Sequence, residues 1–270
     1  MLFERAFDGQ AVVDAYEGRP LYDDKVIRLL FDSARMPGGI IRDGDVLADI
    51  GCGQGRFLSS LFASHSFQTS GVALSEIHAV DPSPNMLEAL QAKFRERNNL
   101  KPIEGRFQDI PLEDHSVDVA VCASSLHWGC ITEDDAEKTA SELARILKAD
   151  GRLVLLSDAV SQKPGVNKEI FDLKRAPEIA YLEKYKFGHY TYNIMPRAVL
   201  QAVEYWNYEA SPREIAEEYA SQVYIYTLPD HEKAQFYDQL GHILYRHRQP
   251  NGSIALERGC AVVAGPYPCR

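Results

Sequence analysis

Between residues 46 and 156, short apolar runs alternate with stretches of helical periodicity, and this alternation leaves few architectures open. Val46–Ile50 is an apolar run ended by Gly51. Residues 55–63 follow, with Phe57, Leu58, Leu61 and Phe62 on one helical face. Ile77–Val80 is a second strand-like run, stopped by Asp81-Pro82. Ser83 then caps a helix with Pro84 at its first position, and Met86, Leu87, Leu90 and Phe94 recur at helical spacing toward Asn98. Val117–Val121 is a third run. Residues 132–147 carry acids in the first turn and Arg145 and Lys148 at the end, the polarity a helix dipole favours. Asp150-Gly151 turns the chain into Leu153–Leu156. Strands joined by helices form a parallel sheet covered on both faces. The expected fold is α/β, with a doubly wound sheet of about seven strands.

One domain over 1–270 is expected, in four parts. Residues 1–40 form a helical N-terminal segment, with Val26, Ile27, Leu29, Leu30 and Phe31 clustered. Residues 41–158 form the core. Residues 159–204, rich in Pro, Lys and tyrosine (Tyr181, Tyr185, Tyr190, Tyr192), read as an inserted helical lid. Residues 205–270 complete the sheet: a strand at Tyr205–Glu209, a helix opened by the capping box Ser211-Pro212-Arg213-Glu214, a helix from Asp230 to Arg246, and a closing strand at Ser253–Ala264.

The chain has 270 residues, 45% of them hydrophobic, enough for a full core. Lys plus Arg is 29 and Asp plus Glu is 39, a net charge of −10, which disfavours nucleic acid and anionic membranes as partners. Five scattered cysteines form no CxxC pair, as expected of a reducing cytoplasm. Met1–Ala6 has no apolar leader-like run, and no apolar stretch approaches the ~18 residues of a membrane span. Cys122, His127 and Cys130 lack zinc spacing, so no metal is expected.

The strongest local signal is Asp49-Ile50-Gly51-Cys52-Gly53-Gln54-Gly55, between a strand and a helix, where open α/β sheets bind ligands. A dinucleotide loop needs its third glycine where Arg56 stands, and no Gly-Lys-Ser/Thr follows. Asp49, just before the first glycine, is a poor neighbour for a pyrophosphate. It suits an ammonium or sulfonium.

With these residues in place, the chain resembles the class I S-adenosylmethionine-dependent methyltransferases, whose fold is Rossmann-like. The likeness spans about residues 45–157. The glycine loop (Asp49, Gly51, Cys52, Gly53, Gly55) resembles the family's first motif and would hold the methionine end of S-adenosyl-L-methionine. Asp81, closing the second strand beside Pro82, resembles the acid that grips the ribose hydroxyls, with Ser64–Ser75 read as a loop insertion before it. Phe107-Gln108-Asp109-Ile110-Pro111-Leu112 resembles the adenine-binding turn, which implies adenine contacts from Asp109 and Ile110. Met86 reads equally as core or as adenine packing. Ser124-Ser125-Leu126-His127-Trp128 resembles the loop after the fourth strand, placing Ser124 and Leu126 beside the donor.

A narrower resemblance, to small-molecule methyltransferases related to trans-aconitate methyltransferase, rests on Phe7–Ala11 and on Tyr16-Glu17-Gly18-Arg19-Pro20-Leu21-Tyr22. It implies that Tyr16 and Arg19 close over the methionine part. The family's usual ending is not matched by Ala261–Arg270. His127 is the candidate catalytic base, or else a structural histidine beside Trp128. The tyrosines and Trp206 read as pocket lining or as packing. Arg197, Arg213 and Lys186 read as anion binders or as solvent-facing charges. The implied function is methyl transfer to a small molecule, first to a carboxylate or hydroxyl oxygen. Carbon or nitrogen methylation, another cofactor-dependent reaction, and a non-catalytic partner subunit are the alternatives.

Overall fold

The computed structural model describes residues 10–34, 36–185 and 190–267. Seven strands form one sheet: β1 (Val46–Ile50), β2 (Glu76–Asp81), β3 (Leu100–Glu104), β4 (Val117–Ala123), β5 (Leu147–Val160), β6 (Leu200–Ala210) and β7 (Ile254–Pro266). Their order is β3-β2-β1-β4-β5-β7-β6. The first five pair in parallel. β7 runs antiparallel to both β5 and β6. The α/β expectation is met with seven strands.

Helices α1 (Gln10–Glu17) and α2 (Asp24–Leu29) precede the sheet. α3 (Arg56–Ala63), α4 (His65–Thr69), α5 (Pro84–Phe94) and α6 (Glu133–Ile146) connect the parallel strands. α7 (Val166–Tyr185) follows β5, while α8 (Pro212–Ala220), α9 (Val223–Tyr226) and α10 (Asp230–Arg246) lie between β6 and β7.

Strand alternation divides the core. Leu47, Val119, Val121, Val154 and Leu156 face one side, with Val26, Leu58, Leu61 and Leu90 of α2, α3 and α5. Ala48, Ile50, Ala120, Cys122, Leu153 and Leu155 face the other, with Leu143 and Ile146 of α6. A third cluster gathers α7 to α10 over Ala210, Ile254 and Leu256 of β6 and β7. No helix among the described residues is long and apolar enough to cross a membrane.

Three expectations are corrected. Leu100–Glu104, a stretch with no strand expected from sequence, is strand β3. Its Pro102 lacks a backbone donor, and the strand pairs on one side only, with β2. The supposed loop Ser64–Ser75 contains α4, capped by Ser64, whose hydroxyl accepts from the Phe67 N–H at 3.2 Å. The strand expected at 205–209 runs from Leu200 to Ala210.

Candidate active site

The strand order reverses between β1 and β4, and a crevice at the carboxyl ends of such strands is where open α/β sheets take ligands. A cavity lies there. It is lined by Gly51, Gly53, Ser124 and Ser125, by Asp81, Pro82, Ser83 and Met86, and by Arg106, Phe107, Gln108, Trp128, Ile131 and Asp135. Tyr16 also lines it, its ring 3.7 Å from where a Cβ on Gly53 would stand.

The glycine loop is shaped by its own packing. Gly51 has φ +71°, and a Cβ there would meet Ser125 Cβ at 2.6 Å. Ser125 is fixed in turn, donating to the Ile50 carbonyl at 2.7 Å. Gly55 has φ +77°, and a Cβ would meet the Phe94 ring at 2.6 Å, so its role is to let α3 pack on α5. The amides of Gly51 and Cys52 donate to the Val80 carbonyl, and that of Gly53 to Asp81 Oδ2 at 2.8 Å. With these amides committed, the loop offers a ligand bare surface rather than a nest of donors, which a pyrophosphate would require.

Two carboxylates sit under and beside the loop. Asp81 accepts from Gly53 and, through Oδ1, from the Ser83 N–H at 2.9 Å, and it faces the cavity. Asp49 is fully buried below the loop, and neither of its oxygens has a hydrogen-bond partner. Burial, with Asp81 adding to it, pushes Asp49 up to about 8.

The sequence candidates fall into three groups. Gly51, Gly53, Asp81, Pro82, Met86, Ser124 and Tyr16 are brought together around the cavity. Asp49, Cys52 and Leu126 are buried behind its surface, and Gly55 is used in packing. Asp109, Ile110, Arg19 and His127 are not in the wall. Asp109 is exposed at the end of a tight turn closed by paired backbone bonds with Arg106, at 3.1 and 3.2 Å. Ile110 is buried, and its N–H donates to Glu142 at 2.8 Å. The adenine-turn residues that do face the cavity are Phe107 and Gln108. The turn was legible; which of its residues point inward is set by packing against α6.

Arg19 stacks on Tyr16, 3.9 Å from the ring centroid. It donates to the Tyr16 hydroxyl, to Ser221 Oγ at 2.8 Å and to the Ser221 carbonyl at 2.9 Å. The motif part at Phe7–Gly9 and Lys186 lie outside the described residues. Tyr181 packs in the α7–α10 cluster and Tyr190 on the α6 side of the sheet. Arg213 is exposed and pairs with Glu217, and Arg197 is exposed. No group of three or more His, Cys, Asp or Glu among the described residues is placed to hold a metal.

A second cavity adjoins on the β5 side, lined by Arg56, Asp158, Ile170, Phe171, Lys174, Trp206, Glu218, Tyr219 and Arg258 among others. A polar network separates it from the first. Arg56 pairs with Asp158 through two bonds of 3.0 Å. Ser124 donates to Asp158 at 3.2 Å, and the Tyr22 hydroxyl lies 3.1 Å from Ser124 Oγ. Ser124 holds a φ of +52°, rare for a residue with a Cβ and a mark of local strain. Burial disfavours the Asp158 charge, but Arg56 outweighs it and holds the carboxyl at about 2. The network joins four chain segments, and no local pattern in the sequence announces it.

His127 lies partly buried in the 3-10 turn Leu126–Gly129, its ring centroid 5.2 Å from that of Trp128. Burial and the charge of Arg19 lower its pKa to about 4, so it is neutral at neutral pH.

Comparisons with known proteins bear on the family and the fold. Residues 48–155 match the methyltransferase domain family. An uncharacterized methyltransferase-like protein of Schizosaccharomyces pombe is 29% identical over 243 residues, 86% of this chain and 83% of the relative. An uncharacterized methyltransferase of Mycobacterium tuberculosis is 27% identical over 240 residues, 88% and 85% of the two chains. The ubiquinone/menaquinone biosynthesis C-methyltransferase of Campylobacter jejuni is 32% identical over 123 residues, 44% of this chain and 47% of that protein. A solved structure described as a type II methyltransferase from Anaeromyxobacter dehalogenans shares the fold. Its TM-score is 0.61 at 19% identity, with 93% of this chain and 99% of that one covered.

Fold and crevice thus define a Rossmann-like α/β protein with its ligand site at the sheet's switch point. Residues 48–155 are similar to the methyltransferase domain family, and S-adenosyl-L-methionine is the cofactor that this similarity implies. The residues present fit that group. The loop provides surface without a phosphate nest, and a buried acid with no partner lies under it.

Proposed function

We propose that the protein methylates a carboxylate oxygen of a small molecule. The observation that carries this reading is His127, held at about 4 by burial and by Arg19. So weak a base removes a proton from an alcohol or phenol poorly. A carboxylate is already ionised at neutral pH and needs no base. A neutral imidazole beside a guanidinium supplies no base for a protonated acceptor, which favours one that is already anionic.

When bound, S-adenosyl-L-methionine supplies an electrophilic methyl group on a sulfonium. In this reading Gly51 and Gly53 lie against its methionine end, Asp81 accepts from the ribose hydroxyls, and Pro82, Met86 and Phe107 enclose the adenine. Tyr16 roofs the cavity, held by Arg19, which supports the likeness to relatives of trans-aconitate methyltransferase. The acceptor reaches the donor from the side of the second cavity, across the Ser124–Asp158 boundary, with its apolar part against Ile170, Phe171 and Trp206. Alignment and exclusion of water then supply much of the rate. The acidic chain speaks against a nucleic-acid acceptor. The four described cysteines are free thiols, which supports a reducing, cytoplasmic setting.

The test is transfer from methyl-labelled donor to a panel of aliphatic and aromatic carboxylic acids. Methyl esters release labelled methanol in base, and kcat should stay flat between about pH 6 and 9, where carboxylates remain ionised. A rising limb near pH 7, or label that survives base, would overturn the carboxylate reading. Base-stable label on carbon would select the second reading, which the partial likeness to a C-methyltransferase supports.

A further inference from the structure

Among the described residues, Asp49 is a fully buried carboxylate for which the proposed chemistry of acceptor and ribose gives no role. It ends neither in the cavity wall nor in an ion pair. Its neighbours across the sheet are Ala79 of β2 and Val121 of β4. The ionisable groups facing it are Asp81, at the end of β2, Cys52 of the loop and Cys122 of β4. Both thiols are pushed well up by burial and stay protonated. Among the described residues, no cation contributes to its environment. A fully buried carboxylate with no donor on either oxygen is costly as an anion. Just above it, the loop presents a surface whose amides are turned inward.

We propose that Asp49 is a proton-linked discriminator of the donor's charge: it is protonated in the empty protein, it releases that proton to water when S-adenosylmethionine brings its sulfonium against the loop, and it keeps the proton when the uncharged thioether S-adenosylhomocysteine binds. The two ligands share ammonium, carboxylate, ribose and adenine and differ by one methyl and one positive charge. Asp81 cannot serve in this way, because two backbone amides stabilise its anion whichever ligand is present. The consequence is reciprocal. Raising the pH should tighten S-adenosylmethionine binding relative to S-adenosylhomocysteine, because the anion that attracts the sulfonium becomes easier to form. After methyl transfer the site takes up a proton again and loses its electrostatic hold on the product.

The test is calorimetric titration of the full chain with each ligand at pH 7, in buffers of differing ionisation enthalpy, which reads protons exchanged per ligand bound. A nearby positive charge lowers a carboxyl pKa by about one to two units, which corresponds to release of about 0.4–0.8 proton per S-adenosylmethionine. S-adenosylhomocysteine should release less than half as much, and Asp49→Asn should abolish the difference. A second readout uses the wild type alone. The infrared difference spectrum should lose the C=O stretch of a protonated carboxyl on addition of S-adenosylmethionine and keep it with S-adenosylhomocysteine. Binding of both ligands with equal proton release, or with none, overturns the proposal and leaves the donor assignment standing. Absence of binding by either ligand to folded protein overturns both.

Discussion

Asp81 ties two parts of the donor cavity together, accepting from the glycine loop at Gly53 and from the start of α5 at Ser83. Asp81→Ala should weaken S-adenosylmethionine binding by about 1–3 kcal/mol, read by calorimetry on protein whose circular dichroism is unchanged. Unaltered affinity would remove Asp81 from the site. Asp49 gives a pH-dependent signature of its own. Its carboxyl lies near 3.8 when solvated and at about 8 in the fold, so the native state binds the extra proton across that interval. A raised native pKa contributes stability that is complete below about 4 and lost as pH climbs toward 8. Relative to Asp49→Asn, the wild type should therefore lose up to about 1.4 kcal/mol per pH unit in that window, measured by urea unfolding without ligand. A pH-independent gap between the two proteins would mean that Asp49 is ionised. These acids were legible because they stand at fixed places around a glycine motif. Phe107 and Gln108 were not singled out, because a sequence locates a turn without saying which side chains its packing turns inward. The Tyr22–Ser124–Asp158–Arg56 network was invisible for a different reason, since its members come from separate segments and no local pattern joins them.

At the scale of elements, helices with a strong start signal were legible nearly to the residue. α8 begins one residue after Ser211, whose hydroxyl accepts from the Glu214 N–H at 3.2 Å while Glu214 accepts from the Ser211 N–H at 2.7 Å. Ser211→Ala should destabilise the protein by about 1 kcal/mol with cofactor affinity unchanged, a combination that thermal unfolding and calorimetry together would read. A drop in affinity would show that α8 also positions the donor cavity. α10 was expected from Asp230 to Arg246 and runs between those residues. β3 escaped notice because Pro102 argues against a strand unless the strand lies at an edge, and strand order is a tertiary fact. β6 proved longer than expected because its burial alternates regularly while its chemistry does not, with Val203 and Tyr205 exposed on either side of half-buried Glu204.

At the scale of the molecule, one buried ion pair anchors the N-terminal segment to the sheet. Arg152, 1% exposed, donates to the Ile40 carbonyl at 2.8 Å and to both oxygens of Asp45 at 2.9 and 3.0 Å. Removing one partner strands a charge in the interior. Asp45→Ala should cost about 3–5 kcal/mol in urea unfolding, far more than loss of an exposed pair. A cost below about 1 kcal/mol would mean that water reaches Arg152. The roof of the donor cavity depends on a longer connection. Tyr16 is held by Arg19, and Arg19 is held by Ser221, 202 positions later in the chain. A ribosome releases the roof about 200 residues before its latch. A nascent chain that has emerged only as far as β5 owns the glycine loop, Asp81 and the floor of the crevice, yet its first helix has nothing to fasten to. The donor chamber is thus closed only after Ser221 has emerged, and the cell makes an open cofactor site before it makes a covered one.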